Sequence, residues 1–253
     1  MNIFLIGSGN IATQLGSIFK KKGHKIVFVY SPTLSHAARL GKELKCKYGN
    51  DNKSIINHPA DIYLIAVKDD AIKAVVNKMP ALKDQLVVHV SGATDIDVLK
   101  KKFKNCGALW QVQTISLLKN TKPIPVPVVI EASNKEAEKK LKQLAAAISN
   151  KIYSLNSKQR RVLHLGAVFV NNFPNHLYTI AQSLLQKHKL PYEIFHPLIL
   201  TTAQNGILNP ALAQTGPAKR NDKVTMNAHK KLLRKGNHLA IYKALSKSIT
   251  ELY

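Results

Sequence analysis

Asn2-Ile3-Phe4-Leu5-Ile6-Gly7-Ser8-Gly9-Asn10-Ile11-Ala12 opens the chain and decides its architecture. A short, mostly apolar run, of the length of a buried strand, leads into Gly-x-Gly-x-x-Ala. Apolar residues then recur at Ile11, Leu15, Ile18 and Phe19, the spacing of one helix face, until Gly23 stops the pattern. Glycines between a strand and a helix have a definite use. Gly7 permits the tight turn, Gly9 lets a pyrophosphate approach the main chain, and the small Ala12 lets the helix pack on the strand. The free amides and dipole of a helix starting near Asn10 then face the phosphates. Gly7, Ser8, Gly9, Asn10, Ile11 and Ala12 are therefore candidate contacts for a dinucleotide.

The pattern repeats beyond this turn. Strand-like runs at residues 25–30, 62–67 and 86–90 alternate with helical periodicity at 35–44 and 71–79. Strands alternating with helices of this length imply parallel β-α units and an α/β, doubly wound, mostly parallel Rossmann-type sheet. The rhythm changes after residue 90. Residues 108–112, 126–131 and 151–154 are strand-like, and 135–148 is helical. Pro123, Pro125 and Pro127 alternate ahead of one of these strands, which suits an edge strand or the loop leading into it. From Ser157 onward only helices are expected. The sequence thus predicts a dinucleotide-binding domain at 1–156 and an all-helical domain for substrate and dimerisation at 157–253.

The end of the second strand selects the cofactor. An NAD site places an acid there to hold the ribose hydroxyls. This chain has Tyr30-Ser31-Pro32-Thr33 and no acid until Glu43. Ser31 and Thr33 can donate to a 2′-phosphate, and Arg39 or a nearby lysine can neutralise it, so NADP is favoured over NAD. The competing reading is that these hydroxyls cap the next helix. Val67 and Lys68 follow the third strand, at the carboxyl edge where such sheets bind ligands. Ser91 follows the next one, where the nicotinamide should lie. His89 is read equally well as a core residue.

Residues 162–186 contain no Asp, Glu, Lys or Arg across 25 positions. Asn171, Asn172, Asn175, His164 and His176 within them argue against a membrane span. The stretch reads as a helix buried on nearly all sides and kinked at Pro174. At a uniform 100° per residue, Val162, Phe169, Phe173, Ile180 and Leu184 share one face. His164, Asn171, Asn175 and Gln182 share the other. A buried polar stripe must find partners. These are either neighbouring helices or a ligand in the reaction cleft. Enclosure by a second subunit leads to the expectation of a homodimer.

Lys and Arg total 38 against 14 Asp and Glu, a formal charge of +24. Only five of those cations are arginine and the lysines are scattered, so a solvated surface is favoured over nucleic acid as partner. The excess still favours a small anionic substrate. Cys46 and Cys106 give neither a metal spacing nor a disulfide framework, and a metal site is not expected. The N-terminus enters a strand directly, without a signal-peptide pattern, and no apolar run is long enough to span a bilayer. A cytoplasmic location is therefore expected. Serine nucleophile elbows and Walker loops are absent from the sequence. Further candidates for the substrate cleft are Gln113 and Thr114 after the 108–112 strand, and Gln214, Thr215 and Arg220 in a polar, turn-rich segment. Arg220 can clamp a carboxylate or pair with Asp222.

These pieces together resemble a family of NADP oxidoreductases that join a Rossmann domain to an uncharacterised helical C-terminal domain. The family is a distant relative of pyrroline-5-carboxylate reductase and the β-hydroxyacid dehydrogenases. The resemblance spans nearly the whole chain. It rests on the glycine turn, His89-Val90-Ser91-Gly92, Gln113-Thr114 and Ile130-Glu131-Ala132. It rests further on His164 with Asn171-Asn172-Phe173-Pro174-Asn175-His176, and on Gln214-Thr215-Gly216-Pro217-Ala218 with Arg220 and Asp222. It implies an NADP-dependent oxidoreductase fold and a helical domain that dimerises. On the chemistry of their side chains, Ser91, His164 and His176 are candidates for proton transfer or polarisation in a hydride transfer to or from a small substrate, with Asn172 as a further catalytic candidate. One departure matters. The lysine that β-hydroxyacid dehydrogenases carry four residues before the asparagine is replaced by Val168, if Asn172 is that asparagine. Trp110-Gln111 and Ile115-Ser116 also stand where a Tyr-Pro pair and a Phe are usual in the family. The alternative is a non-catalytic NADP(H) sensor or scaffold.

Overall fold

The computed structural model describes residues 1–114 and 126–253. Ile115, Ser116, Pro123 and Pro125, which entered the sequence reading, lie outside the described residues.

Eight strands form one sheet: β1 (Asn2–Ile6), β2 (Lys25–Tyr30), β3 (Lys47–Gly49), β4 (Ile62–Ile65), β5 (Leu86–His89), β6 (Cys106–Gln111), β7 (Val128–Ala132) and β8 (Ile152–Ser154). Their order is β3-β2-β1-β4-β5-β6-β7-β8. Every neighbouring pair is parallel except β6 and β7. The chain winds outward from β1 in one direction and then, from β4, in the other. The switch point falls between the carboxyl ends of β1 and β4, where doubly wound sheets leave a crevice.

The helices interleaved with these strands are α1 (Asn10–Lys21), α2 (Leu34–Leu44), α3 (Ser54–Asn57), α4 (Ile72–Lys78), α5 (Asp97–Lys100) and α6 (Lys135–Ala146). They cover both sheet faces. Ile3, Leu5, Leu64 and Val88 pack with Leu15 and Phe19 of α1 and Leu40 of α2. Phe4, Ile6, Tyr63 and Val87 pack with Ile72 and Val76 of α4 on the other face. Alternate residues of one strand thus face opposite layers, which is why β1 from Ile3 onward and β4 are hydrophobic on both faces. β7 pairs on both sides, so of the two roles suggested for the prolines before it the edge strand does not apply. Pro127 lies in the lead-in, its carbonyl accepting from Val112 N at 2.9 Å.

The chain divides into two compact units, Met1–Asn172 and Phe173–Tyr253. The first contains the sheet, α7 (Ser157–Ala167) and a π-helical turn at Val168–Asn172. Asn156 caps α7 in a reciprocal box with Gln159, satisfying two otherwise orphaned donors. The second unit is helical: α8 (Phe173–Lys187), α9 (His196–Leu208), α10 (Pro210–Ala213), α11 (Lys223–Leu233) and α12 (Asn237–Leu252). Among the described residues no helix is long and apolar enough to cross a membrane.

Two expectations for residues 162–186 are corrected here. The bend is not a simple proline kink but a π turn directly ahead of Pro174. Widening the turn relieves the clash between the proline ring and the carbonyl four residues earlier, that of Val170. It inserts about one residue into the helical count, so faces reckoned at uniform spacing slip by roughly 100° beyond it. Nor is the stretch buried on nearly all sides. Val162 and Val170 are 67% and 79% exposed.

Candidate functional site

The crevice at the switch point is a cavity of about 780 Å³ within the first unit. Its floor is the turn from β1 into α1. Gly7 has φ +118, and a Cβ there would lie 2.1 Å from the Ala66 carbonyl oxygen, so the fold itself requires this glycine. Gly9 is different. A Cβ on it would meet no protein atom within 4 Å and would enter open cavity. Gly9 also starts α1 without a side-chain cap, leaving the first helical amides available to an anion. No acid occupies the first turn, so nothing there repels a phosphate.

One wall comes from the end of β2. Ser31 is buried, and the Ser8 hydroxyl donates to its Oγ at 3.0 Å. Arg39 of α2 donates from Nη2 to the Ser8 carbonyl at 3.0 Å, which brings a cation beside the two hydroxyls. Thr33 is the N-cap of α2 and makes no side-chain cap bond. It is exposed and does not line the cavity. Val67 and Lys68 line the cavity on the β4 side.

The far end is built from β5, β6 and α7. Ser91, Gly92, Trp110, Gln113 and His164 converge there. The His164 and Trp110 ring centroids are 5.4 Å apart, and both rings crowd Gly92, where a Cβ would lie 2.6 Å from His164 Cδ2. Ser91 Oγ accepts from Ala93 N at 3.1 Å and Thr94 N at 2.9 Å. With its lone pairs engaged, this hydroxyl is a donor and not a base. The ring nitrogens of His164 have no hydrogen-bond partner among the described residues, so they are available to hydrogen-bond a ligand.

Behind this end lies a polar cluster that spacing in the sequence does not reveal. Arg160 of α7 is fully buried. Its Nη1 donates to the carbonyls of Ser91 at 3.0 Å, Gly92 at 3.1 Å and Thr94 at 2.6 Å. Its Nη2 donates to Glu131 Oε2 at 2.8 Å and to Ser157 Oγ at 3.1 Å. A single acid inside the apolar strand β7 was the available signal. His89 is buried beside this cluster, with Nδ1 accepting from Ser91 N at 3.2 Å. Burial foremost, and then the Arg160 charge, push its pKa down to about 3, so it is a neutral core residue.

Of the residues singled out from the sequence, Gly7, Ser8, Gly9, Asn10, Ile11, Ser31, Val67, Lys68, Ser91, Gln113 and His164 line this one cavity. Ala12 is buried beneath the turn. Thr114 is exposed and outside the lining, as are Asn171, Asn172, Asn175 and His176. Gln214, Thr215 and Arg220 belong to the second unit. There Gln214 Nε2 donates to the Thr215 carbonyl at 2.8 Å. Asp222 caps α11 through Thr225 N at 3.0 Å, and those bonds foremost, with Arg220 as a minor contributor, hold its carboxyl below the usual range. Among the described residues no group of three or more His, Cys, Asp or Glu side chains is placed to hold a metal.

A family model described as NADP oxidoreductase, coenzyme F420-dependent, matches residues 2–92. Another, a domain of unknown function (DUF2520), matches residues 126–249. Among solved structures, a Bacteroides fragilis protein provisionally described as an NADP oxidoreductase is 35% identical, with a TM-score of 0.87 over 99% of this chain and 98% of that one. A Thermotoga maritima protein is 22% identical, with a TM-score of 0.70 over 98% and 97%. A Coxiella burnetii pyrroline-5-carboxylate reductase, 15% identical over 98% of each chain with a TM-score of 0.55, shares the fold. No curated protein matches the chain significantly.

Proposed function

The chain belongs to the NADP oxidoreductase family of its Bacteroides fragilis relative, and from that premise we propose that it moves a hydride between NADP and a small, anionic substrate. The observation that carries this reading is the contrast between Gly7 and Gly9. The fold needs the first glycine, whereas a side chain on the second, which lines the cavity, would meet only open space. The residues present fit the cofactor. The unpaired amides of the first turn of α1 suit a pyrophosphate, and Arg39 with Ser8 and Ser31 suits a 2′-phosphate. When bound, NADP supplies the hydride chemistry, and the protein supplies orientation and electrostatics. Ser91 donates a hydrogen bond at the far end, and His164 holds or releases the proton that accompanies reduction or oxidation. Lys68 and the surrounding positive charge draw in the anion.

The chain functions as a homodimer, in the reducing cytoplasm that its two free cysteines suit. The second unit supports the dimer, because Ala218 and Met226 are its buried apolar residues while Leu198, Ile207 and Leu208 are exposed. Asn175, His176, Gln214, Thr215 and Arg220 of the second unit are substrate contacts in this reading, as are, separately, Asn171 and Asn172 at the end of the first.

The test has two stages. Trp110, the chain's single tryptophan, lines the cavity, so its emission should fall on titration with NADPH and fall less with NADH. NADPH absorbance is then followed against imines, keto acids and aldehydes. His164→Ala should abolish turnover with nucleotide affinity intact. Tighter NADH than NADPH binding, or unchanged turnover in the variant, overturns the corresponding assignment.

A further inference from the structure

We propose that Arg160 and Glu131 are positioning residues that set the turn at residues 91–94 against the nicotinamide half of the cofactor. The inference rests on the reading of the cavity as an NADP site. A buried arginine is costly to desolvate, and its pairing with a carboxylate seldom yields net stability over an apolar pair. Here the fork does more than neutralise Glu131. Its Nη1 gathers three carbonyls from one short turn: Ser91, Gly92 and Thr94. Ser157 ties the same cluster together. Its hydroxyl lies 2.7 Å from Glu131 Oε2, and Ile96 N donates to its Oγ at 3.2 Å.

The consequence for the cavity follows from counting donors. Within the turn, Ser91 N is committed to His89, and Ala93 N and Thr94 N are committed to Ser91 Oγ. Gly92 N has no acceptor among the described residues, and Gly92 lines the cavity beneath His164 and Trp110. With its carbonyls turned toward Arg160, the turn offers a ligand one main-chain donor, Gly92 N, and the Ser91 hydroxyl. That set suits the carbonyl oxygen of a carboxamide. Lysine cannot replace Arg160, since an ammonium lacks the rigid fork that spans carbonyls and carboxylate together.

The experiment compares two ligands on the full chain: NADPH, and adenosine 2′,5′-bisphosphate, which carries the adenine half without nicotinamide. Glu131→Gln and Arg160→Lys should each weaken NADPH roughly tenfold and leave the bisphosphate unchanged. Energy transfer from Trp110 to bound NADPH should fall at saturating cofactor. Ser157→Ala keeps the ion pair intact and guards against misfolding. It should show the same selective loss at a smaller size. NADPH affinity and energy transfer like wild type, or parallel loss of both ligands in all three variants, overturns the proposal. Failure of the unaltered chain to bind either ligand would instead overturn the reading of the cavity.

Discussion

Arg39 donates from Nη2 to the main-chain oxygen of Ser8 at 3.0 Å. A cation of α2 is thereby anchored to the glycine turn, beside the Ser8 and Ser31 hydroxyls. An exposed arginine tied only to a carbonyl keeps most of its charge and donors for an anion. Arg39→Ala should therefore weaken NADPH roughly tenfold and NADH by less than about twofold. The preference should also shrink as salt rises, because the site is open to solvent. Calorimetric titration at two ionic strengths checks both statements, and an unchanged ratio of the two affinities would remove Arg39 from cofactor selection.

The two glycines of the turn should respond in opposite ways. Gly7→Ala forces a side chain into φ +118 and against the Ala66 carbonyl, which should cost about 3 kcal/mol of stability or more. Gly9 has φ −77, which any residue adopts, and open space around it. Gly9→Ala should change stability by less than about 0.5 kcal/mol while weakening NADPH at least roughly tenfold. Denaturant melts and cofactor titrations on both variants separate the two effects. Equal cofactor affinity in Gly9→Ala would mean that the cavity is not the pyrophosphate site.

How much of this was readable beforehand differs from element to element. β1, β2, β4 and β5 are legible because a strand covered on both faces is a continuous apolar run with glycine, proline or serine at its ends. β3 is not, since Lys47-Tyr48-Gly49 is short, polar and at the sheet edge. The cavity's floor is legible because one contiguous turn, Gly7 to Ile11, supplies it. The Arg160 cluster is not, because Glu131 and Arg160 lie on different elements and only the fold brings them to 2.8 Å. The face assignment across residues 162–186 fails at Val168–Asn172, where a π turn breaks the period that the assignment needs.

His89 gives the protein a specific acid sensitivity. Its folded pKa, about 3, lies below the free value of 6.5. Between those values the unfolded chain binds a proton that the folded chain does not. Its contribution to stability is therefore intact above about pH 6.5 and is lost as pH falls toward 3, at up to about 1.4 kcal/mol per pH unit. His24, lowered by burial and by the N-terminal charge, acts in the same direction. Asp95, whose pKa is depressed by bonds from Asp97 N, Ser157 and Arg161 against the opposing effect of burial, contributes only nearer pH 3.8 and below. His89→Asn keeps an acceptor for Ser91 N without a titrating ring. Urea melts from pH 7 to 4.5 should show a flatter slope in that variant, and identical slopes would contradict the buried neutral histidine.

The exposed apolar surface carries the last prediction. A helical unit of this kind must bury apolar area to offset the entropy of ordering its chain. In Phe173–Tyr253 the large side chains Leu198, Leu200, Ile207, Leu208 and Leu212 are instead more than half exposed, as are Val162 and Val170 in the first unit. A covering body is needed, and a second copy is always present at matching concentration. The chain should sediment as a dimer at micromolar concentration, with a melting temperature that rises with protein concentration. Ile207→Lys and Val170→Lys each place charge on an exposed apolar face of their own unit without disturbing the cavity lining, so each should shift the population toward monomer and lower the melting temperature. Binding of adenosine 2′,5′-bisphosphate should survive in both, since neither residue lines the cavity proposed for it. A monomer with a concentration-independent melt would show that these apolar faces are not covered by a second copy.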